Sequence, residues 1–263
     1  VARGILGQLD SDRLVVFLTE KPAIAYEKQR DIQTCCHWPD QKGDRPVQTK
    51  KVETALITGG GSGMGRAVAQ ALCRYGIKVF VADVSLAAAE ETARAAAGLK
   101  DRAEALMVDI SHSKSVASLF RQLQDRLERL DLMVHTAAIL GRTAFIEDLE
   151  DEEWRRMIAV NLDGAFYCCR EAIRWMKMHQ TGRIILFSSV ASLTPTPGAL
   201  HYSATKGGIN MLGKTLAQEV AKHNIRVNII APGYQDAHAE WSARRFLGLH
   251  SQKDTPRSPG RGE

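Results

Sequence analysis

The chain has 263 residues, of which 44% are hydrophobic and 25% charged, the ordinary range of a globular protein with a sizeable core. Its net charge of +5 is not gathered into a basic block, so it favours a small anionic ligand slightly and gives no reason to invoke nucleic acid. No apolar run approaches the roughly 20 residues of a membrane-spanning helix, and the N-terminus shows no secretory signal, so the expected location is cytoplasmic.

In chain order, residues 1–50 show no sustained period and mix charges with Pro22, Pro39, Pro46 and the stretch Cys35-Cys36-His37-Trp38; they read as an atypical N-terminal extension. From Val52 onward, short β-rich runs alternate with longer helical patterns, the mark of a parallel sheet with covering helices. Strands are expected near 52–58, 77–83, 103–108, 131–135, 183–188 and 225–230. Helices are expected near 63–75, 86–97, 113–128, 151–179 and 202–222. Right-handed crossovers then place helices on both faces of one doubly wound, mostly parallel, Rossmann-like α/β sheet. After Gly233 the alternation stops, and residues 234–263 read as an atypical tail, so the predicted domain is 51–233. Five cysteines (Cys35, Cys36, Cys73, Cys168, Cys169) include two adjacent pairs and no C-x-x-C spacing, which points to reduced thiols and no metal site.

The run Thr58-Gly59-Gly60-Gly61-Ser62-Gly63-Met64-Gly65 follows the first strand and opens the first helix. Glycine lets the backbone turn sharply and approach a pyrophosphate, and the helix N-terminus supplies free N–H groups and a positive dipole end. Asp83, closing the second strand, either accepts hydrogen bonds from adenosine ribose hydroxyls or caps the following helix. An acidic residue there repels a 2′-phosphate, and Ser62 stands where a phosphate-seeking arginine is absent, so NAD(H) is expected over NADP(H). Asp109, at the end of the third strand, is balanced between an adenine contact and a cap.

Tyr202-Ser203-Ala204-Thr205-Lys206 places a phenol and an amine four residues apart on one helix face. A free phenol has a pKa of roughly 10, and a nearby ammonium is expected to lower it toward useful proton exchange. Ser189 lies at the C-terminal edge of the fifth strand, where ligands bind in open α/β sheets. Asn161 interrupts an apolar helical face and needs partners, whether in catalysis or in a helix–helix contact.

The order and spacing of Thr58-Gly-x-x-x-Gly63-x-Gly65, Asp83, Asp109, Asn161, Ser189, Tyr202, Lys206 and Pro232-Gly233 resemble the short-chain dehydrogenase/reductase family over residues 52–233, leaning to its 3-oxoacyl-carrier-protein-reductase-like members. The resemblance implies an oxidoreductase interconverting a secondary alcohol and a ketone by hydride transfer. It implies cofactor contacts at Gly59, Ser62, Gly63, Met64, Gly65, Asp83, Asp109, Ile110, Ala137, Tyr202, Lys206, Pro232 and Gly233. Tyr202 would be the acid/base and Lys206 would hold the nicotinamide ribose and depress the tyrosine's pKa. Ser189, rather than Ser188, would orient the substrate oxygen, and Asn161 would hold a water relaying protons to Lys206. A homodimer or homotetramer packed through the helices holding Asn161 and Tyr202 is also implied, with a small-molecule substrate.

Two departures stand out. The fourth strand ends His135-Thr136-Ala137-Ala138 where the family has Asn-Asn-Ala-Gly, and His135 is read as structural. After Pro232-Gly233-Tyr234 the family's lid and last strand are not recognisable, so that strand is expected to be lacking. The alternative reading is therefore a catalytically impaired or non-catalytic dinucleotide-binding protein.

Overall fold

Strands covered on both faces read as nearly unbroken apolar runs, and Ala55-Leu56-Ile57, Val79-Phe80-Val81-Ala82 and Ile184-Ile185-Leu186-Phe187 are such runs, each buried throughout. The computed structural model describes residues 51–96 and 103–233; the expected N-terminal extension and C-terminal tail, with Cys35 and Cys36, lie outside the described residues. The strands are β1 (Thr54–Thr58), β2 (Lys78–Asp83), β3 (Ala103–Met107), β4 (Leu132–His135), β5 (Gly182–Phe187) and β6 (Ile225–Ile230). They form one six-stranded sheet in the order β3-β2-β1-β4-β5-β6, every neighbouring pair parallel.

Side chains alternate across the pleat, so the sheet has two separate cores. Leu56, Phe80, Met133, Ile184 and Leu186 point to one face and meet Leu119, Cys168 and Ile209. These three come from α3 (Ser113–Gln124), α5 (Gly164–His179) and α6 (Leu200–Val220). Ile57, Val81, Val134 and Ile185 point to the other and meet Val68, Leu72 and Ala89. Those belong to α1 (Gly63–Arg74) and α2 (Leu86–Ala96). Cys168 and Cys169 are buried in the first core, where burial raises both thiols, Cys169 to about 12. No metal-ligand cluster occurs among the described residues, and no helix there is long and apolar enough to cross a membrane.

The strand and helix expectations for residues 52–233 hold to within a few residues, with one exception of substance. The helix expected over 151–179 is divided: α4 (Asp151–Met157) passes into a π-helical segment, Ile158–Asp163, before α5 begins. A π turn inserts one residue into the helical register and commonly marks a functional site. Asn161 sits in it.

The strand order reverses direction between β1 and β4. The C-terminal side of such a switch point is where open α/β sheets usually form their ligand-binding crevice.

Candidate active site

The glycine turn lies at this crevice. A Cβ on Gly65 would fall 2.1 Å from the Gly59 carbonyl oxygen and 2.5 Å from Thr136 Oγ1, so only glycine lets α1 start this close to β1. Gly63 adopts φ +50°, and open space faces it for 4 Å. Ser62 precedes the helix without capping it through its side chain, which leaves the first-turn N–H groups for a ligand. An anion fits this cradle on geometry and dipole alike. Met64 is half-buried beside the second core and Ala137 backs directly onto Gly59.

Asp83 closes β2 beside the turn, where its Oδ2 accepts the Gly61 N–H at 2.9 Å and its Oδ1 accepts Ser85 N–H at 3.0 Å. The second bond belongs to the capping reading of this residue, but the first fixes the carboxylate against the turn. Asp109 accepts both the N–H and the hydroxyl of Ser111, at 2.9 and 2.6 Å. The Ser111 hydroxyl, ahead of the other contacts, holds its carboxyl below the usual range. Ile110 is buried against Gly164 of α5. Asp83 thus closes β2 and Asp109 follows its neighbour β3 at the same edge of the sheet.

The other end gathers the remaining positions. Ser189 follows β5 by two residues; its Oγ accepts the Ala191 N–H at 3.2 Å and is hydrogen-bonded to Tyr202. Ser188, by contrast, is buried and donates to the Lys206 carbonyl at 3.0 Å, so its hydroxyl is committed to holding α6. The Pro232 carbonyl accepts the Val190 N–H at 2.9 Å, which places Pro232-Gly233 alongside Ser189. Lys206 is only 3% exposed. Its Nζ donates to the Phe187 carbonyl at 2.8 Å and lies 5.6 Å from the centre of the Tyr202 ring.

The electrostatics correct one expectation. Burial raises the Tyr202 phenol above its ordinary value, and what opposes this is the Ser189 hydrogen bond. Lys206 is not among the groups that shift it: burial pushes its own ammonium down to about 8, and one N–H of Nζ is donated to the Phe187 carbonyl.

Asn161 is fully buried, and its amide is used at both ends. Oδ1 accepts the Ile139 N–H at 2.8 Å, while Nδ2 donates to the Ile139 carbonyl at 2.9 Å and to Thr205 Oγ1 at 3.3 Å. These bonds tie the loop after β4 to the π segment, the structural contact that a buried Asn161 needs. Thr205, in turn, donates to the Tyr202 carbonyl at 2.7 Å. Asn161 therefore reaches the Tyr-x-x-x-Lys turn through Thr205, a residue not singled out in the sequence. The structural reading of His135 fits its surroundings: Nδ1 sits 2.8 Å from Thr58 Oγ1, joining β4 to β1. Burial first, then the Lys206 charge, lowers its pKa to about 3, so the ring is neutral.

Sequence reasoning also passed over His201, which precedes Tyr202 and is wholly buried. Its Nε2 lies 3.5 Å from Glu153 Oε1, and Glu153 is gripped by the backbone N–H and Nε of Arg142 at 2.9 and 2.6 Å. Histidine before a tyrosine carries no signal by itself; only the fold brings Glu153 beneath it.

Comparison with known proteins agrees with this layout. Residues 53–247 match the family described as short chain dehydrogenase. A 3-oxoacyl-[acyl-carrier-protein] reductase of Synechocystis sp. is 35% identical over 69% of this chain and 74% of its own length. A 3beta-hydroxysteroid dehydrogenase of Mediterraneibacter gnavus is 35% identical over 69% of this chain and 65% of its own. Among solved structures, an NAD+-bound xylitol dehydrogenase superposes with a TM-score of 0.69 at 26% identity, covering 76% of this chain and 78% of that one. The chain belongs to the short-chain dehydrogenase family, as an oxidoreductase that acts on CH–OH or keto groups with NAD(P).

Proposed function

We propose that this protein interconverts a secondary alcohol and a ketone with NAD(H) in preference to NADP(H), using Tyr202 as the proton donor and acceptor. The observation that carries the proposal is the convergence of Tyr202, hydrogen-bonded Ser189 and buried Lys206 at the open edge of β5. The nicotinamide, when bound, supplies or accepts the hydride. Gly59, Ser62, Gly63, Met64 and Gly65 hold the pyrophosphate, Asp83 the adenosine ribose, and Asp109 with Ile110 the adenine side. Ala137, Pro232 and Gly233 border the nicotinamide end, and Lys206 holds its ribose.

In reduction, the carbonyl carbon gains the hydride while Tyr202 Oη gives its proton to the carbonyl oxygen. Burial makes the phenol a stable proton store in the resting protein, and Ser189 favours the phenolate that forms. Ser189 also orients the substrate oxygen beside Tyr202. Asn161 acts by positioning, fixing Ile139 and Thr205 around the reacting pair. The relatives' names support a 3-oxoacyl or hydroxysteroid type of carbonyl group as substrate class. Exposed Trp154, Phe166 and Met211 on α4, α5 and α6 support a homo-oligomer packed through these helices.

The test is NADH oxidation by the purified protein against a panel of ketones and β-ketoesters, beside Tyr202→Phe. Turnover that falls by roughly a thousandfold or more in the variant, with NADH binding retained, is the expected result. A folded protein that binds NADH and turns over none of the panel supports the dinucleotide-binding alternative instead.

A further inference from the structure

Arg66 follows the last glycine of the turn and folds back over it. Its Nη2 and Nε donate to the Gly61 carbonyl at 2.7 and 3.1 Å. The same Nε lies 3.1 Å from the hydroxyl of fully buried Thr92. Nη1 and Nη2 pair with the two carboxylate oxygens of Glu91 on α2, each at 3.1 Å. Gly61 is therefore clamped from two sides: Asp83 takes its N–H and Arg66 takes its C=O. Space around it is tight, since a Cβ on Gly61 would stand 2.8 Å from both Asp83 Oδ2 and Ala88 Cβ.

A guanidinium joined to Asp83 through Gly61 is unexpected beside a site read as selecting a free ribose. Guanidinium is the side chain best matched to a phosphate dianion, which it can bind through two parallel N–H groups. Its charge here is neutralised by a forked carboxylate, and its plane is fixed by Gly61 and Thr92.

We propose that Glu91 is a specificity-determining residue, holding Arg66 against α2 so that a 2′-phosphate beside Asp83 finds a carboxylate and no free cation. This rests on the assignment of Asp83 to the adenosine ribose. Discrimination against NADP(H) then has two parts, repulsion by Asp83 and withdrawal of Arg66. The Glu91 carboxylate is 60% exposed and Arg66 32%, so the pair is screened and singly weak. Its removal shifts selectivity by a modest factor and leaves the fold standing.

The experiment titrates NADH and NADPH by fluorescence into the full chain as wild type, Glu91→Gln, and Glu91→Gln with Arg66→Met. In Glu91→Gln the ratio of NADPH to NADH dissociation constants is expected to fall about fivefold, through tighter NADPH. Adding Arg66→Met is expected to return the ratio to the wild-type value. A ratio that Glu91→Gln leaves unchanged overturns the proposal, as does a fall that persists without Arg66. Wild-type protein that binds both dinucleotides equally counts against the Asp83 assignment. Glu91 is still judged by whether removing its carboxylate shifts the ratio through Arg66.

Discussion

Replacing Lys206 by methionine is expected to stabilise the protein near neutral pH while abolishing turnover. The ammonium is 3% exposed, and burial depresses its pKa from 10.5 to about 8. That depression corresponds to about 3 kcal/mol of folding free energy spent on keeping the charged form out of water. The sign follows from proton uptake: between the two pKa values the unfolded chain holds more protons than the folded one, so stability rises with pH. The destabilisation is complete below pH 8 and is relieved as pH climbs toward 10.5. Methionine fills a similar volume without charge, at the cost of the bond to the Phe187 carbonyl, about 1 kcal/mol and independent of pH. Urea unfolding of wild type and Lys206→Met at pH 7 and pH 10.5 separates these parts. The variant's stability relative to wild type is expected to be about 2 to 3 kcal/mol more favourable at pH 7 than at pH 10.5. A difference that does not change with pH refutes the desolvated ammonium.

Gly65→Ala drives a methyl into the Gly59 carbonyl, a backbone atom that cannot turn aside, and is expected to cost about 1 to 3 kcal/mol of stability. NADH affinity should fall at least about tenfold by the same displacement of the turn; unchanged titration curves contradict this. Asn161→Ala strands the N–H and C=O of Ile139 together, for an expected loss of about 2 to 4 kcal/mol in urea unfolding. A loss below about 1 kcal/mol would mean that water replaces both bonds. Ser189→Ala removes the one contact that lowers the Tyr202 phenol, so the pH profile of alcohol oxidation should move to higher pH with a reduced maximum. A lower maximum at an unmoved pH points to substrate orientation alone.

Much of the fold was legible because a sheet covered on both faces forces its strands to be apolar throughout, as in Val79 to Ala82. Helices facing one core, such as α3 with Val116, Leu119, Phe120 and Leu123 buried, show their period in the chain. The π segment at Ile158–Asp163 was not legible. No residue type encodes it, and the bonds that engage Asn161 there reach Ile139 and Thr205, far away in sequence. The candidate positions were legible from spacing, while their physical state was not. The direction of the Tyr202 shift depends on how deeply the phenol is buried against what its hydrogen bond to Ser189 returns. The Asn161 amide was legible as a buried group in need of partners, but that those partners are Ile139 and Thr205 was not. Glu153 beneath His201, and Glu91 gripping Arg66, are meetings that only tertiary structure arranges.

The central claim is that hydride passes directly between a nicotinamide and a carbonyl carbon while Tyr202 handles the proton. Reduction of a ketone substrate with NADH carrying deuterium at both C4 positions of the nicotinamide, followed by mass spectrometry of the alcohol, tests this. The wild type is expected to give product with one cofactor-derived deuterium on the carbinol carbon, and Tyr202→Phe almost no product. Deuterium absent from that carbon, or labelled product formed at an undiminished rate by Tyr202→Phe, would contradict it.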